Sequence, residues 1–127
     1  MFKIDVRPEF TIKAKLEGAN VSFTFKRLNV EDAGQLAEES LDVDNITMGQ
    51  KIGLMYKESR ISLIGWTGIH DEATDEALPS HDAEGNIIEV HQRAVFDLVV
   101  STPKLWNKYQ VAKSGLSAKN LKTGAKQ

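Results

Sequence analysis

The chain contains no cysteine and only three prolines in 127 residues. Without thiols there are no disulfides, no thiolate nucleophile and no cysteine metal ligands, which leaves a cytosolic or virion setting open. Long apolar runs are missing too, since none approaches the roughly 20 residues that a membrane helix needs. The first residues, Met1 to Pro8, intersperse Lys3, Asp5 and Arg7 among apolar side chains, which is not the pattern of a secretory signal. After Asp97 there is no acidic residue, while Lys104, Lys108, Lys113, Lys119, Lys122 and Lys126 follow. Those six lysines give residues 98–127 a charge of +6, and the other ten basic residues against all eighteen acids give residues 1–97 a charge of −8. Such a split suits either a solvated, lysine-rich end or a tail that meets an acidic partner. The lack of arginine there, with only Trp106 and Tyr109 as aromatics, argues against nucleic acid as that partner.

What is present fits one soluble domain, with 41% hydrophobic and 27% charged residues. Phe10, Ile12, Ala14 and Leu16 alternate with Thr11, Lys13 and Lys15, the period of a half-buried strand. Glu17 to Asn20 supplies turn residues, and Val21, Phe23 and Phe25 resume the alternation, so a β-hairpin is predicted. Phe2, Ile4 and Val6 alternate as well and allow a further strand ended by Pro8.

Asn29 is placed to cap a helix carrying Ala33, Leu36, Ala37 and Leu41, with Glu31 and Asp32 at its positive end. Asp44 or Asn45 is placed to cap a second helix that lines up Met48, Ile52, Met55 and Tyr56. Gly49 and Gly53 weaken that helix and suggest close packing against a neighbour. For Ile61, Leu63 and Ile64, a helical extension and a strand both fit the pattern. Residues 87–100 predict a helix with a broad apolar face that includes Val90, Ala94 and Val95. Thr102 and Pro103 stop it and start a last helix, which holds Leu105, Trp106 and Tyr109 and closes at Gly115. The predicted organisation is an α+β domain over residues 1–113, a hairpin or small antiparallel sheet on about four helices. Residues 114–127 form a flexible, disordered basic tail.

Between Ile64 and Glu72 the sequence reads Ile-Gly-Trp-Thr-Gly-Ile-His-Asp-Glu. Trp66 is costly to leave in water, and Gly68 permits backbone angles closed to other residues, so these two mark a structural corner. From Thr67 to Asn86 the sequence holds six acids and few apolar anchors, a long loop of the kind that is functional or mobile.

Candidates for chemistry are few. His70, His81 and His91 lie in or beside the acidic loop, but their spacing matches no metal motif, and exposed loop histidines account for them. Six acids in a loop always offer carboxylate pairs, yet no interleaved apolar residues are there to raise one pKa. Gly115-Leu116-Ser117-Ala118 lacks the second glycine of a nucleophile elbow, and no glycine-rich phosphate loop is present. No catalytic, cofactor or metal site is therefore expected, and interaction is the remaining class of function.

In order, the chain shows Phe23-x-Phe25-x-Arg27-Leu28, a helical middle, Trp66-x-Gly68-Ile69-x-Asp71, a loop with Leu78-Pro79, a helix, and Lys119-Asn120 in a polar tail. From Val21 to Asn120 this arrangement resembles the tail assembly chaperones of long-tailed bacteriophages. It departs from them after Asp71, where the family has a tighter Gly-Pro turn. The resemblance implies a protein of the infected host's cytoplasm that is absent from the mature virion. Such proteins coat the tape measure protein, recruit tail tube protein subunits, and are often made in a second, frameshifted length. The implied partner surface comprises Met48, Ile52, Met55, Tyr56 and Trp106, methionine being adaptable to varied partners. An ordinary core is the alternative for the same residues. Homo-oligomerisation follows from the need for many weak contacts along a long helix. The rivals are a structural tail component, such as a tube-completion or joining protein, and a small nucleic-acid-binding regulator.

Overall fold

The computed structural model describes residues 1–39 and 47–115, an α+β fold with a three-stranded antiparallel sheet and four helices among those residues. Strands β1 (Glu9–Leu16) and β2 (Ala19–Lys26) pair with Phe10 opposite Phe25, Ile12 opposite Phe23 and Ala14 opposite Val21. The alternation in sequence thus becomes one apolar face, while Thr11 and Thr24 join their hydroxyls at 3.1 Å on the other. The turn is tighter than the sequence suggested. Only Glu17 and Gly18 lie between the strands, both with positive φ, as a type I′ turn requires.

Strand β3 (Leu63–Thr67) pairs with β2 on its other side, giving the order β1-β2-β3. Phe25 faces Leu63 and Thr24 faces Gly65, so Ile64 is the extra residue of a bulge. That bulge is why Leu63 and Trp66, three apart, are both buried when strict alternation would send them to opposite faces.

Helix α1 (Val30–Glu39) begins under Asn29, whose Oδ1 accepts the backbone N–H of Asp32 at 2.7 Å. Its expected continuation to Leu41 lies outside the described residues. Helix α2 (Met48–Ser62) is capped by Thr47, with a reciprocal box to Gln50, in place of Asp44 or Asn45, which also lie outside the described residues. The open choice at Ile61 to Ile64 resolves as a helix running directly into a strand, since α2 ends at Ser62 and β3 starts at Leu63. Helix α3 (Glu89–Ser101) starts two residues later than predicted.

Helix α4 (Pro103–Ser114) has Pro103 in its first turn and Gly115 at its end with φ of 77°. It runs one residue past the expected domain boundary at 113, and residues 116–127 of the predicted tail lie outside the described residues. Helices α3 and α4 cover the apolar face of the sheet. Tyr109 is the hub of their contact, its ring 4.6 Å from Phe25, 6.0 Å from Phe10 and edge-on to Phe96 at 6.1 Å.

Phe2, Ile4 and Val6 belong to no strand, which corrects the expectation of a fourth one. The segment is instead held by its polar groups. Asp5 donates its N–H to the carbonyl of Gly115 at 2.8 Å, and Asp5 pairs with Arg7 at 2.8 Å. Arg27 donates from Nε to the Arg7 carbonyl and from Nη1 to the carbonyls of Ala112 and Lys113. One guanidinium therefore serves the end of α4, where the Ala112 carbonyl also accepts the N–H of Gly115, and the base of the first segment together.

Candidate functional site

The Trp66 corner is a packing device. The indole is 8% exposed, and its Nε1 donates to the carbonyl of Leu78 at 2.9 Å, tying β3 to the acidic loop. Gly68 has φ of 81°, and a Cβ there would stand 2.1 Å from the carbonyl oxygen of Asn20, so the backbone of β2 passes where a side chain would be.

The acidic segment is more ordered than its composition suggested. Asp71 accepts the N–H of Ala73 and Asp82 those of Glu84 and Asn86, two turns of the aspartate type, with bridges His70 to Ala77 and His81 to Ile87 beside them. The histidines serve this local structure: the ring Nδ1 lies 3.3 Å from the Asp75 carbonyl in His70, 2.9 Å from Ser80 Oγ in His81 and 2.8 Å from the Pro79 carbonyl in His91. Among the described residues, no three histidines or carboxylates converge as metal ligands would.

A cavity of about 440 Å³ opens between α1, the hairpin and α4, lined by Phe10, Arg27, Leu36, Glu58, Tyr109 and Lys113. Three of its charged groups, Arg27, Glu58 and Lys113, are already engaged. Glu58 accepts from the Tyr109 hydroxyl at 2.9 Å and pairs with Lys113, and Arg27 stacks over Phe10 at 4.8 Å. Burial first, and the Glu58 charge second, push the Tyr109 hydroxyl above its ordinary pKa, so it remains a neutral donor rather than a base.

The second opening, about 360 Å³, is a groove between α2 and α3 lined by Gly53, Tyr56, Arg60, Glu89, Val90 and Arg93. Met48 and Ile52 of α2 stand 70% and 45% exposed, and Val90 of α3 is 77% exposed. Val90 and Ala94 are thus not on the buried face that the periodicity of α3 assigned them, because the core takes a narrower stripe of Gln92, Val95, Phe96 and Val99. Nothing lies within 4 Å of a Cβ built on Gly53, and only the Thr47 hydroxyl, at 3.8 Å, near one on Gly49. Among the described residues these glycines do not serve the close packing that their sequence context suggested, and they leave the surface of α2 open.

The structure divides the five residues singled out for partner binding. Met48 and Ile52 are exposed and Tyr56 lines the groove, its ring 4.1 Å beneath Arg93. Met55 is half-buried against the chain's own core, and Trp106 lies on α4 with its ring 5.4 Å from Tyr109. Sequence reasoning missed Val90 as a surface residue, and also Gln92 and Arg27 as fixings. The only signal for Gln92 was a polar residue within an otherwise apolar stripe. No family model, characterised protein or solved structure matches this chain. No helix among the described residues is long and apolar enough to cross a membrane.

Proposed function

We propose that this protein is a tail assembly chaperone of a long-tailed bacteriophage, which holds apolar helices of the tape measure protein and recruits tail tube subunits. One observation carries the reading: α2 presents Met48 and Ile52 to solvent, and beside them Gly53, Tyr56 and exposed Val90 line a groove against α3, an open surface for an incoming apolar helix. The resemblance around Trp66 and Gly68 supplies the identity of the partners. In this reading the protein works in the host cytoplasm and leaves before the virion is complete, which asks for reversible contacts of the kind methionine and small residues offer.

The test is co-expression with the tape measure protein of the same phage. The wild-type chain is captured with it, and Ile52→Glu, which places a charge on the exposed face of α2 without touching the core, lowers capture at least about tenfold at unchanged melting temperature. Equal capture by Ile52→Glu removes this face from the reading. Mass spectrometry of purified virions decides the class, because a stoichiometric signal for this chain makes it a structural tail component.

A further inference from the structure

The two edges of the sheet are built differently. Strand β3 is five residues long, carries the bulge at Ile64, and is tied through Trp66 to the segment that follows it. Bulges and covering loops of this kind keep an edge from pairing with another chain. Strand β1 has neither protection. It runs for eight residues in unbroken register with β2.

Register decides which of its backbone groups are free. In a two-residue hairpin the residues flanking the turn bond to each other, so Leu16, Ala14, Ile12 and Phe10 turn their N–H and C=O toward β2. Thr11, Lys13 and Lys15 turn theirs outward. The Lys13 carbonyl accepts the Lys108 Nζ at 2.7 Å from that side, and among the described residues no backbone group of another segment meets these three there. The first segment flanks the edge only at Thr11, through Lys3, Asp5 and Arg7. A row of alternating donors and acceptors is thus left open from Thr11 to Leu16, with the side chain of Lys108 standing in for one missing donor.

The side chains beside this row set the chemistry of what can join it. On the open face of the sheet Lys13 and Lys15 are exposed, and neither residues 10–16 nor residues 103–115, which span α4, contain an acid. Glu9 and Glu17 lie at the two ends of the strand. On the covered face Ala14 and Leu16 of β1 and Trp106 of α4 are only half-buried.

We propose that the β1 edge binds an extended segment of a partner protein in which acidic and apolar residues alternate, the acids beside Lys13 and Lys15 and the apolar residues beside Ala14 and Leu16. Backbone pairing supplies the attachment, and the two faces supply the selection. This surface is separate from the α2–α3 groove and stands whether or not the tail-chaperone reading does. Two copies of β1 do not serve each other, because antiparallel pairing sets Lys13 and Lys15 against their own counterparts. The lysine-rich end of the chain is excluded by the same repulsion. Nucleic acid is the poorer fit, since phosphate oxygens accept hydrogen bonds and leave the outward carbonyls of Thr11 and Lys15 without donors.

The probe is a short blocked peptide alternating glutamate and valine, titrated into the isotope-labelled full chain at low salt. The amide signals of Thr11, Lys13 and Lys15 shift, and at saturation their hydrogen exchange slows at least about tenfold. The same peptide with lysine in place of glutamate does not bind. With every backbone N–H methylated, the glutamate peptide keeps its charge and loses at least about tenfold in affinity, a result that needs no variant of the protein. Lys13→Pro removes the outward N–H and leaves the β2 ladder intact, and it weakens binding several-fold more than Lys13→Gln, which removes the same charge. Lys13→Glu with Lys15→Glu, both at exposed positions, rejects the glutamate peptide and admits the lysine one. No binding of the glutamate peptide, binding of the lysine peptide to the wild type, undiminished binding of the methylated peptide, or equal effects of Lys13→Pro and Lys13→Gln overturns the proposal. So does displacement of the peptide by an equimolar single-stranded oligonucleotide, which makes the surface one for nucleic acid. Protection of the three amides that rises with protein concentration in the absence of peptide overturns it too, since the edge then pairs with itself.

Discussion

The side-chain amide of Gln92 stands 2.6 Å from the carbonyl oxygen of Leu63 and donates to it, deep in the protein at 1% exposure. The same nitrogen reaches the carbonyls of Ser59 at 3.1 Å and Arg60 at 3.4 Å. Helix α2 passes into β3 with no intervening loop; the Ser59 carbonyl accepts the N–H of Leu63 there, and a glutamine from α3 adds a donor to it and to the carbonyls of Arg60 and Leu63. Removing the amide takes this donor from all three carbonyls, of which Ser59 keeps the N–H of Leu63. Gln92→Leu, close in volume, is expected to cost about 2–3 kcal/mol in urea unfolding. Gln92→Glu is expected to cost more, since a buried carboxylate would face three carbonyl oxygens.

Two glycines separate packing from openness. Gly68→Ala forces a Cβ against the Asn20 carbonyl in a left-handed backbone, and a loss of about 2–4 kcal/mol is expected, with poor soluble yield. Gly53→Ala meets open space in a helix interior and is expected to stabilise by up to about 1 kcal/mol. Thermal unfolding of the pair measures both. Equal effects would mean that the approach of β2 to Gly68 has been misplaced.

Trp66→Ala removes the buried indole and the tie to Leu78, and about 3–5 kcal/mol is expected to go with it, enough to unfold a domain of this size. Trp66→Phe keeps most of the apolar contact and loses the hydrogen bond. Hydrogen exchange is then expected to speed up between residues 69 and 88 while the hairpin stays protected. A folded Trp66→Ala protein that fails only in partner binding would move this residue from scaffold to interface.

Stability has a basic limit set by Tyr109. Its hydroxyl pKa is raised in the fold, first by burial and then by Glu58, so the unfolded chain loses that proton first as pH climbs. The stabilising contribution is whole below the ordinary value of about 10 and is lost as pH rises above it. At the other end, hydrogen bonds from Arg7 hold the Asp5 carboxyl well below the usual range. Its contribution is whole above about pH 4 and disappears as pH falls through the depressed value, but Asp5 lies at the surface and the effect is small. Tyr109→Phe is expected to flatten the loss of stability above pH 10, read by denaturant titration at several pH values.

The hairpin was legible because its cause is local: Phe10 to Phe25 alternate, and alternation alone decides which face is buried. Leu63 and Trp66 were harder, since their shared burial depends on a bulge at Ile64 that only the pairing with β2 creates. Val90 was misread for a related reason. The apolar stripe of α3 is wider than the core it packs on, and periodicity reports hydrophobicity rather than the presence of a neighbour. The candidate groove was half legible, through Gly53 and Tyr56 of α2, while its α3 wall needed tertiary structure. Gln92 and Arg27 were not legible, because the carbonyls they serve belong to segments distant in sequence.

Arg27 and Gly115 place a condition on timing. The seat that fixes the first segment is made of the last turn of α4, so it does not exist while the chain is being synthesised, until residues 112–115 have left the ribosome and α4 has packed. Before then, the apolar residues at positions 1–6 have no fixed base. The seated form of the first segment therefore reports folding through Gly115: a chain that is half-made or unfolded cannot present it.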